Sequence, residues 1–498
     1  MAETKEIIRG GLYITLGSII AFIFSYLFRI VLAKNFSIEE YGLFYSIYNF
    51  ITFFLPFVCL GLDQSSIHYI VKYKTEENYN KIKTVVASTF FFQLATNLLF
   101  ILLIFIFSSY LENDYFHYEN SGYYLKLMLI LIFFNLLVSV SVEIIYGFQK
   151  TKVFSLYAPI QNFLYFILTI CFMYFGRGLS SPFLAYIAAT ILLTIIFTIF
   201  ARKYFNFFQY KIVQFRAITK ELFVFGLPMI LTGFSARIMT QTDTLMLTSM
   251  TSLKEVGLYN AALPLATIFM LVGSAIVTVT FPLFTELWHR NAQEKIGFYL
   301  KYIYKYLFLL ILPITVVLII FRDFLLSVMF GPEYLAAGTA LIFLVISTIF
   351  VIFSGINLTS INAFGYPKLV SKIIFLGAII NIILNYILIN IWGINGAALA
   401  TMISYMFLFI YSIYSLRKYI SFQLPPYFSS AVLIIFSVFA SLGYNLFSAK
   451  TLTAGIIYLV MYLLIFIILS IKLSYFSMEE VKQVMRTIIA KKDEEKLE

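Results

Sequence analysis

Charged residues are scarce in this chain, and cysteine and histidine are scarcer still. Only 12% of its 498 residues are charged while 61% are hydrophobic, and the mean hydropathy is +0.93. A soluble domain carries about twice that share of charge. Cys59 and Cys171 fall inside apolar segments, and the three histidines share no ligand spacing. The composition therefore excludes an ordinary soluble domain and argues against a disulfide scaffold or a zinc site.

Catalytic signatures are absent from the sequence as well. It contains no phosphate-binding glycine loop, no clustered His and Cys set, no nucleophile elbow, and no loop long enough to form a soluble catalytic domain. We therefore expect that the chain is not an enzyme and has no cofactor. Any transport should then run on a gradient of the substrate or of an ion, either Na+ or a proton.

What the chain does have is a series of long hydrophobic runs. Each is about 20 residues or more, long enough to cross a hydrocarbon layer about 30 Å thick, and none shows the alternation of an outer-membrane barrel. Helices are then the spanning element. The sequence predicts an all-α polytopic membrane protein with fourteen transmembrane helices. The predicted spans are 10–33, 42–62, 84–109, 123–147, 153–175, 181–201, 221–248, 257–284, 306–330, 337–362, 369–391, 394–416, 427–447 and 453–475.

The basic residues give these spans an orientation. Most of the 35 Lys and Arg residues fall on one side of the membrane when the N-terminus is placed in the cytoplasm. By the positive-inside rule, both termini are predicted to be cytoplasmic and the protein to lie in the cytoplasmic membrane. The net charge of +11 then faces anionic lipid and needs no nucleic-acid partner.

An internal repeat divides the chain. At a constant offset of 215, Gly11-Leu12 matches Gly226-Leu227 and Gly42-Leu43 matches Gly257-Leu258. A second block matches at an offset of 218. Two copies of an even number of helices have the same orientation, which predicts parallel repeats of six helices around an axis normal to the membrane. The predicted parts are 1–215, 216–420, two further helices over 421–475, and a cytoplasmic amphipathic tail over 476–498.

One predicted span, Leu222 to Thr248, is unusually polar. Thr240, Gln241, Thr244 and Thr248 follow Arg237 at helical spacing, with Asp243 at the edge of the stripe. Insertion of an arginine near the bilayer centre costs about 2.5–3.5 kcal/mol, so such a residue normally faces a bundle interior or a wet cavity.

The first span carries a similar stripe, with Ser25 and Arg29 on one face. Both stripes should point to the axis between the repeats. We therefore predict a cationic cavity for an anionic substrate, formed by Ser25, Arg29, Arg237 and Gln241. The alternative is that the arginines form structural ion pairs, Arg237 with Asp243 for example.

Acidic and amide side chains suggest a coupling ion. Asp243 and Thr240 lie on one helix, and Asn381 and Asn385 lie one turn apart on the eleventh span. Together they would supply hard oxygen ligands for Na+, or Asp243 would accept a proton. The alternative is that the asparagines only join helices by hydrogen bonds. Glu143, at the inner end of the fourth span, is expected to reach Lys150 or Lys152 and to be structural.

Several short motifs carry a family resemblance. They are Gln241 to Met246, Glu255 to Ala262, Phe330 to Tyr334, Asn381 to Asn385, and Gly393 to Ala398. With the doubled six-helix plan, they make the chain resemble the polysaccharide transport family of lipid-linked oligosaccharide flippases. This is the O-antigen (Wzx-like) group of the multidrug/oligosaccharidyl-lipid/polysaccharide (MOP) superfamily.

The resemblance implies a function. A V-shaped pair of six-helix bundles would carry a glycan on a polyprenyl diphosphate from the cytoplasmic to the outer leaflet by alternating access, for surface polysaccharide biosynthesis. Arg29 and Arg237 fit the basic residues that line such cavities. The implied partners are the lipid-linked glycan, membrane lipid and glycan assembly enzymes, and we expect a monomer. The alternatives are an ion-coupled drug/cation antiporter of the same superfamily, a peptidoglycan-precursor flippase, and an integral-membrane glycan polymerase.

Overall fold

The computed structural model describes residues 2–421, 427–446 and 452–473, and the regular structure in those ranges is helical throughout. The predicted tail over 476–498 lies outside them. The helices of the first part are α1 (Ala2–Asn35), α2 (Ile38–Phe53), α3 (Leu55–Cys59), α4 (Leu62–Thr75), α5 (Tyr79–Leu111), α6 (Ser121–Gly147), α7 (Thr151–Phe154), α8 (Tyr157–Tyr174) and α9 (Ser180–Tyr204). Those that follow are α10 (Phe215–Met250), α11 (Leu253–Thr267), α12 (Met270–His289), α13 (Gln293–Ile320), α14 (Arg322–Met329), α15 (Gly338–Ala363), α16 (Pro367–Leu416), α17 (Tyr427–Leu446) and α18 (Leu452–Lys472).

Most of these helices are membrane spans by length and composition. Among the described residues, 11 helices qualify, or up to 12 if the bent pair Leu253–Thr267 and Val272–His289 forms one span. The two helices of that pair meet at 52°, and Ser430–Tyr444 is a shorter apolar helix. The prediction of an all-helical, multi-pass membrane protein is confirmed. The count of fourteen and the division into two six-helix units stay predictions.

The longest helix, α16, folds back on itself at Gly393. This residue has φ 55° and ψ −131°, a conformation that favours glycine. A Cβ on Gly396 would lie 1.9 Å from the Leu388 carbonyl oxygen, and Asn381 Nδ2 lies 3.4 Å from Thr401 Oγ1. In a straight helix those two residues would be about 30 Å apart. The two arms of α16 are therefore antiparallel neighbours.

Residues that correspond in the sequence repeat meet where α2 crosses α11. Ser37 caps α2 and Ser252 caps α11 in the same way, each accepting a hydrogen bond from a backbone amide three residues on. A Cβ on Gly42 would lie 2.0 Å from the Leu253 carbonyl oxygen, and one on Gly257 would lie 2.2 Å from the Ile38 carbonyl oxygen. Only glycine allows backbones this close, so the two glycines hold the first and second parts of the chain together at this end.

Lysines gather at the opposite end, which we call the basic end. Lys74 Nζ donates to the Phe148 carbonyl oxygen (3.2 Å) and Lys83 Nζ to that of Tyr210 (2.5 Å). Burial, and then the charge of Lys150, lower the pKa of Lys74. By the positive-inside rule, this group of lysines is predicted to lie on the cytoplasmic side.

Helix α4 at the basic end was not predicted, because the second predicted span ends at residue 62 and the third begins at residue 84. The chain instead turns at Leu60 and Gly61, both with positive φ, and continues as α4. Ser65 Oγ donates to the Leu222 carbonyl oxygen of α10 (2.9 Å). A Cβ on Gly61 would lie 2.2 Å from the Gly226 carbonyl oxygen. Helices α4 and α10 therefore join the two parts of the chain at this end too.

Candidate functional site

A cavity of about 310 Å³ lies between α1 and the helices α10, α11, α15 and α16. Four residues predicted for the site line it: Ser25 and Arg29 from α1, and Thr240 and Asp243 from α10. The remaining lining residues are Phe22, Tyr26, Met239, Leu263, Pro264, Ala266, Thr267, Met270, Leu344, Ser347, Thr348, Val351, Thr401 and Tyr405. The polar face of α1 and one edge of α10 thus meet in the same space.

Arg29 is held by a carbonyl group and an aromatic ring. Its Nη1 donates to the Asn260 carbonyl oxygen of α11 (3.2 Å), and the guanidinium carbon lies 4.5 Å from the centroid of the Tyr45 ring. The Tyr41 hydroxyl donates to the same carbonyl oxygen (3.3 Å). Among the described residues Arg29 has no ion-pair partner. Its positive charge is therefore oriented but not neutralised.

Arg237 lies half-buried on α10, one turn before Gln241, and it is not part of the cavity wall. Within the part of the chain that the structure describes, it forms no ion pair. The guanidinium groups of Arg29 and Arg237 both act electrostatically on Tyr48 of α2. The two positive charges thus reach the same region, and the alternative pairing of Arg237 with Asp243 is not formed.

The Asp243 carboxylate is buried and accepts four hydrogen bonds. Asn385 Nδ2 donates to Oδ1 at 2.7 Å and Asn381 Nδ2 at 3.5 Å. Thr401 Oγ1 and the Tyr259 hydroxyl donate to Oδ2. Both arms of α16 contribute, because the fold at Gly393 brings them side by side. We call Asp243 and its four donors the Asp243 cluster.

Two other predicted residues lie apart from this cluster. Thr240 is exposed in the cavity wall, and its hydroxyl donates to the Ala236 carbonyl oxygen of its own helix (3.0 Å). The structure therefore does not bring Thr240 to Asp243, since the carboxylate points to α11 and α16. Gln241 is buried, and its Nε2 donates to Thr52 Oγ1 (2.9 Å). It joins α10 to α2 and does not line the cavity.

Thr401 and Tyr259 were missed by the sequence analysis. The position of Thr401 depends on the fold of α16 at Gly393, which no local pattern reveals. Tyr259 did leave a signal, because the matching residue of the first repeat is Phe44, which has no hydroxyl. A hydroxyl present in only one of two repeats marks a position where the second repeat differs in chemistry.

The Asp243 cluster contains one free acceptor oxygen as well as donors. Asn381 Oδ1 accepts from Asn385 Nδ2 (3.1 Å), whereas Asn385 Oδ1 is buried and has no hydrogen-bond partner. Carboxylate, amide and hydroxyl oxygens are ligands that hard cations prefer, and a carboxylate also binds a proton. These residues therefore fit Na+ or a proton. In the described ranges, no group of three His, Cys, Asp or Glu side chains could hold a metal ion.

Two family models match this chain. The family model described as "Polysaccharide biosynthesis protein" matches residues 7–288, and the MatE model matches residues 228–387. An uncharacterized membrane protein of Methanocaldococcus jannaschii is 26% identical over 439 residues, covering 85% of this chain and 86% of that protein. Agl15 of Haloferax volcanii, named a probable low-salt glycan biosynthesis flippase, is 30% identical over 155 residues, which is 30% of this chain and 32% of that protein.

Among solved structures, the lipid II flippase MurJ in an inward closed conformation is similar with a TM-score of 0.71 and 19% identity. The match covers 92% of this chain and 98% of that chain, and at this identity it shows the fold alone. The family match, by contrast, extends over more than half of this sequence. The chain therefore belongs to the polysaccharide biosynthesis protein family.

Proposed function

We propose that the protein flips a polyprenyl-diphosphate-linked oligosaccharide from the cytoplasmic to the outer leaflet for surface glycan biosynthesis. The observation that carries this proposal is Arg29, whose positive charge lies in the cavity wall without an ion-pair partner. A guanidinium group pairs well with phosphate, and a diphosphate cannot cross hydrocarbon unpaired. The relatives named as probable flippases support the proposal.

The size of the cavity bears on how transport proceeds. At about 310 Å³ it is at the small end of ligand pockets, which range over about 300–1,000 Å³. It suits a diphosphate head group, whereas an oligosaccharide needs the two parts of the chain to separate. Contacts of α2 with α11 and of α4 with α10 join the parts at opposite ends of the molecule. Opening one pair of contacts at a time would give alternating access.

The finer architecture is part of the same proposal. Counting both arms of α16, the bent pair and the short helix Ser430–Tyr444 as spans gives the fourteen predicted from the sequence. The parts would be two parallel six-helix units, 1–215 and 216–420, with two further helices over 421–475. Both termini would lie in the cytoplasm, and the basic end would face the inner leaflet.

The Asp243 cluster is proposed to bind the coupling ion, Na+ or a proton. Helix α11 offers a direct connection between this ion and the substrate. Tyr259 donates to Asp243, and the carbonyl oxygen of the next residue, Asn260, accepts from Arg29. A cation bound to Asp243 would compete with the Tyr259 hydroxyl, and a shift of α11 would then alter the position of Arg29.

The arginines provide the test of the substrate site. Arg29→Ala and Arg237→Ala should each abolish surface glycan while the protein stays in the membrane, because the diphosphate loses its cationic partner. Arg290→Ala is the matched control, since Arg290 is exposed and pairs with Glu286 on the surface (2.8 Å). The measurement is mass spectrometry of lipid-linked glycan in each leaflet. Normal export by both the Arg29 and the Arg237 variants would contradict the cationic site.

Coupling is tested in vesicles with an imposed Na+ or proton gradient. Flipping should respond to one of the two gradients, and Asp243→Asn should remove that response because the amide cannot carry the negative charge. Indifference of the unaltered protein to both gradients would remove any ion role for the cluster.

A drug/cation antiporter is the second candidate, favoured by the buried Asp243 carboxylate and by the MatE family match. The same vesicles distinguish it, since an antiporter would export an organic cation and a diphosphate flippase would not.

A further inference from the structure

Glu143 of α6 is a buried acid whose surroundings differ from those expected. Its side chain is 5% exposed, and neither carboxyl oxygen has a hydrogen-bond partner. The expected contact with Lys150 or Lys152 is not formed. Lys150 lies 5.4 Å from the centroid of the Tyr204 ring, and Lys152 is exposed. An ionised carboxylate buried without a partner is costly, so Glu143 must be neutralised by a proton or a bound cation.

The groups around Glu143 do not supply a positive charge. Asp63 and Ser66, in the first two turns of α4, interact with it. Cys59 interacts electrostatically with both acids. On α5, Gln93 Nε2 donates to the Cys59 carbonyl oxygen (3.3 Å), while Gln93 Oε1 is buried and has no partner. Two acids therefore share a region in which acceptor oxygens outnumber donors.

Helix α5 contributes further buried oxygen atoms that have no hydrogen-bond partner. Thr89 Oγ1, Gln93 Oε1 and Asn97 Oδ1 follow one another at a spacing of four residues, which places them on one face of the helix. All three atoms are buried and lack a hydrogen-bond partner. Buried polar groups are normally satisfied, so a row of orphaned acceptors marks a place where protons or water complete the structure.

Five charged side chains on the elements that pack against α6 have other partners, while Lys203 of α9 is exposed and His68 of α4 stacks on the Phe225 ring (4.5 Å between centroids). The five are Lys74 (Phe148 carbonyl oxygen, 3.2 Å), Lys83 (Tyr210 carbonyl oxygen, 2.5 Å), Lys81 (Glu76, 3.8 Å), Arg202 (5.9 Å from the Phe208 ring centroid) and Glu112 (Asn120 amide, 2.7 Å). Asp63 is the charged group that acts on Glu143 among the described residues. No cation of the described chain neutralises Glu143.

We propose that Glu143 is a proton-binding site in the first part of the chain, near the end of α6 that faces the basic end and separate from the Asp243 cluster. Asp63 is half-buried in the first turn of α4, directly after the turn at Leu60 and Gly61. It is the acid through which a proton passes between water and Glu143. The proton comes from hydronium, binds a carboxylate oxygen of Glu143, and leaves by the same route as the carboxylate re-forms.

This site differs from a neutral structural acid in one measurable respect. A structural acid keeps its proton at every pH at which the protein is folded, whereas a proton-binding site exchanges it. Exchange at Glu143 would change the charge of the first part of the chain by one unit, at a position outside the cavity and the Asp243 cluster. The binding itself does not depend on what the protein transports.

Infrared difference spectroscopy of the full chain in nanodiscs tests the proposal directly. The C=O stretch of a protonated carboxyl should decrease as the pH is raised, and this change should be absent from Glu143→Gln. It should persist in Asp63→Asn and Asp243→Asn, because those acids are not the final acceptor. Glu286→Gln is the matched control, since Glu286 is an exposed acid paired with Arg290.

Three results would overturn the assignment. A pH-dependent band that survives in Glu143→Gln belongs to another residue. If Glu143→Gln removes a band that does not change with pH, Glu143 is a structural acid. Loss of the band on adding Na+ at constant pH would make the site a metal-ion site.

A second measurement tests whether protonation of Glu143 changes the rate of flipping. This test rests on the proposed function. Flipping by Glu143→Gln should be independent of pH at the basic end, whereas the Glu286→Gln control should keep the pH dependence of the unaltered protein. Identical pH profiles in both variants would contradict a role in transport. Failure of the unaltered protein to flip the glycan would reject the proposed function and leave the infrared result intact.

Discussion

Asp243 and Glu143 are two acids with the same burial and opposite surroundings. Each side chain is 5% exposed. Four donors reach Asp243, including Asn385, Thr401 and Tyr259, whereas neither oxygen of Glu143 has a partner. Burial alone therefore does not determine what a carboxyl group does inside a membrane protein. The number of donors that face it decides which protonation state the surroundings stabilise.

The consequence of this difference is chemical. Hydrogen bonds from amide and hydroxyl groups stabilise the anionic form of Asp243, which can then attract a cation. Glu143 has only the Ser66 hydroxyl beside it among the described donors and accepts no hydrogen bond within normal geometry, so burial favours the form that a proton neutralises. Under the two proposals, the same residue class would serve as a cation site in one part of the chain and as a proton site in the other, and matched substitutions can separate the two.

The largest difference in stability between the two sites is expected when each acid is replaced by an apolar side chain of similar size. Asp243→Val removes the acceptor of four buried donors, of which Asn381 and Asn385 keep a second acceptor while the Thr401 and Tyr259 hydroxyls do not. Since each orphaned group costs about 1–3 kcal/mol, we expect a loss of roughly 2–6 kcal/mol in the free energy of unfolding. Glu143→Met removes a carboxyl that has no partner and should be neutral or stabilising. Unfolding in mixed micelles, followed by tryptophan fluorescence, measures both. Equal destabilisation by the two substitutions would contradict the distinction.

A smaller effect is expected from removing one donor of the Asp243 cluster. Tyr259→Phe deletes a hydrogen bond to a charged group, which should lower the free energy of unfolding by about 1.5–3 kcal/mol. Tyr334→Phe is the matched control, because the Tyr334 hydroxyl is buried and has no partner. That control should change stability by less than about 0.5 kcal/mol or raise it. A Tyr259 variant as stable as the control would show that its hydroxyl does not support Asp243.

The smallest effect is expected at Thr401. An aliphatic hydroxyl is a weaker acid than a phenol and donates less strongly, so Thr401→Val should cost about 1–2 kcal/mol. Thr89→Val changes the same chemical group at a position where the hydroxyl has no partner. It should leave the unfolding midpoint unchanged or raise it. If Thr89→Val destabilises as much as Thr401→Val, an unseen partner satisfies Thr89, and the acceptor row on α5 is not orphaned.

Local patterns in the sequence predicted one face of the site well. Ser25 and Arg29 lie in the cavity wall with Asp243, because helical spacing alone fixes which side chains share a face. Asn381 and Asn385 were predicted beside Asp243, and the structure brings them together.

Contacts between distant segments could not be read from the sequence in the same way. Thr401 reaches Asp243 only because α16 folds back at Gly393, and the sequence gives no distance between the two arms. Glu143 was expected to reach a lysine, since long acidic side chains near a helix end usually reach solvent. Its isolation arises from α4, a helix placed where a loop was expected.

The internal repeat shows what the sequence could and could not predict about contacts. Offset matching paired Gly42 with Gly257 without indicating that the two residues touch. Their contact depends on the three-dimensional fold, because equivalent segments of a duplicated chain approach each other near the axis that relates the two copies.

Adjacent residues on α11 make contacts with two different sites, since Tyr259 binds Asp243 and the Asn260 carbonyl oxygen binds Arg29. The thermodynamic consequence is reciprocity. If an ion at Asp243 changes the affinity of Arg29 for an anion by some factor, the anion must change the affinity for the ion by the same factor. Two adjacent residues of α11 would then carry the coupling free energy of transport, and titrating either ligand in the presence of the other measures it from both directions.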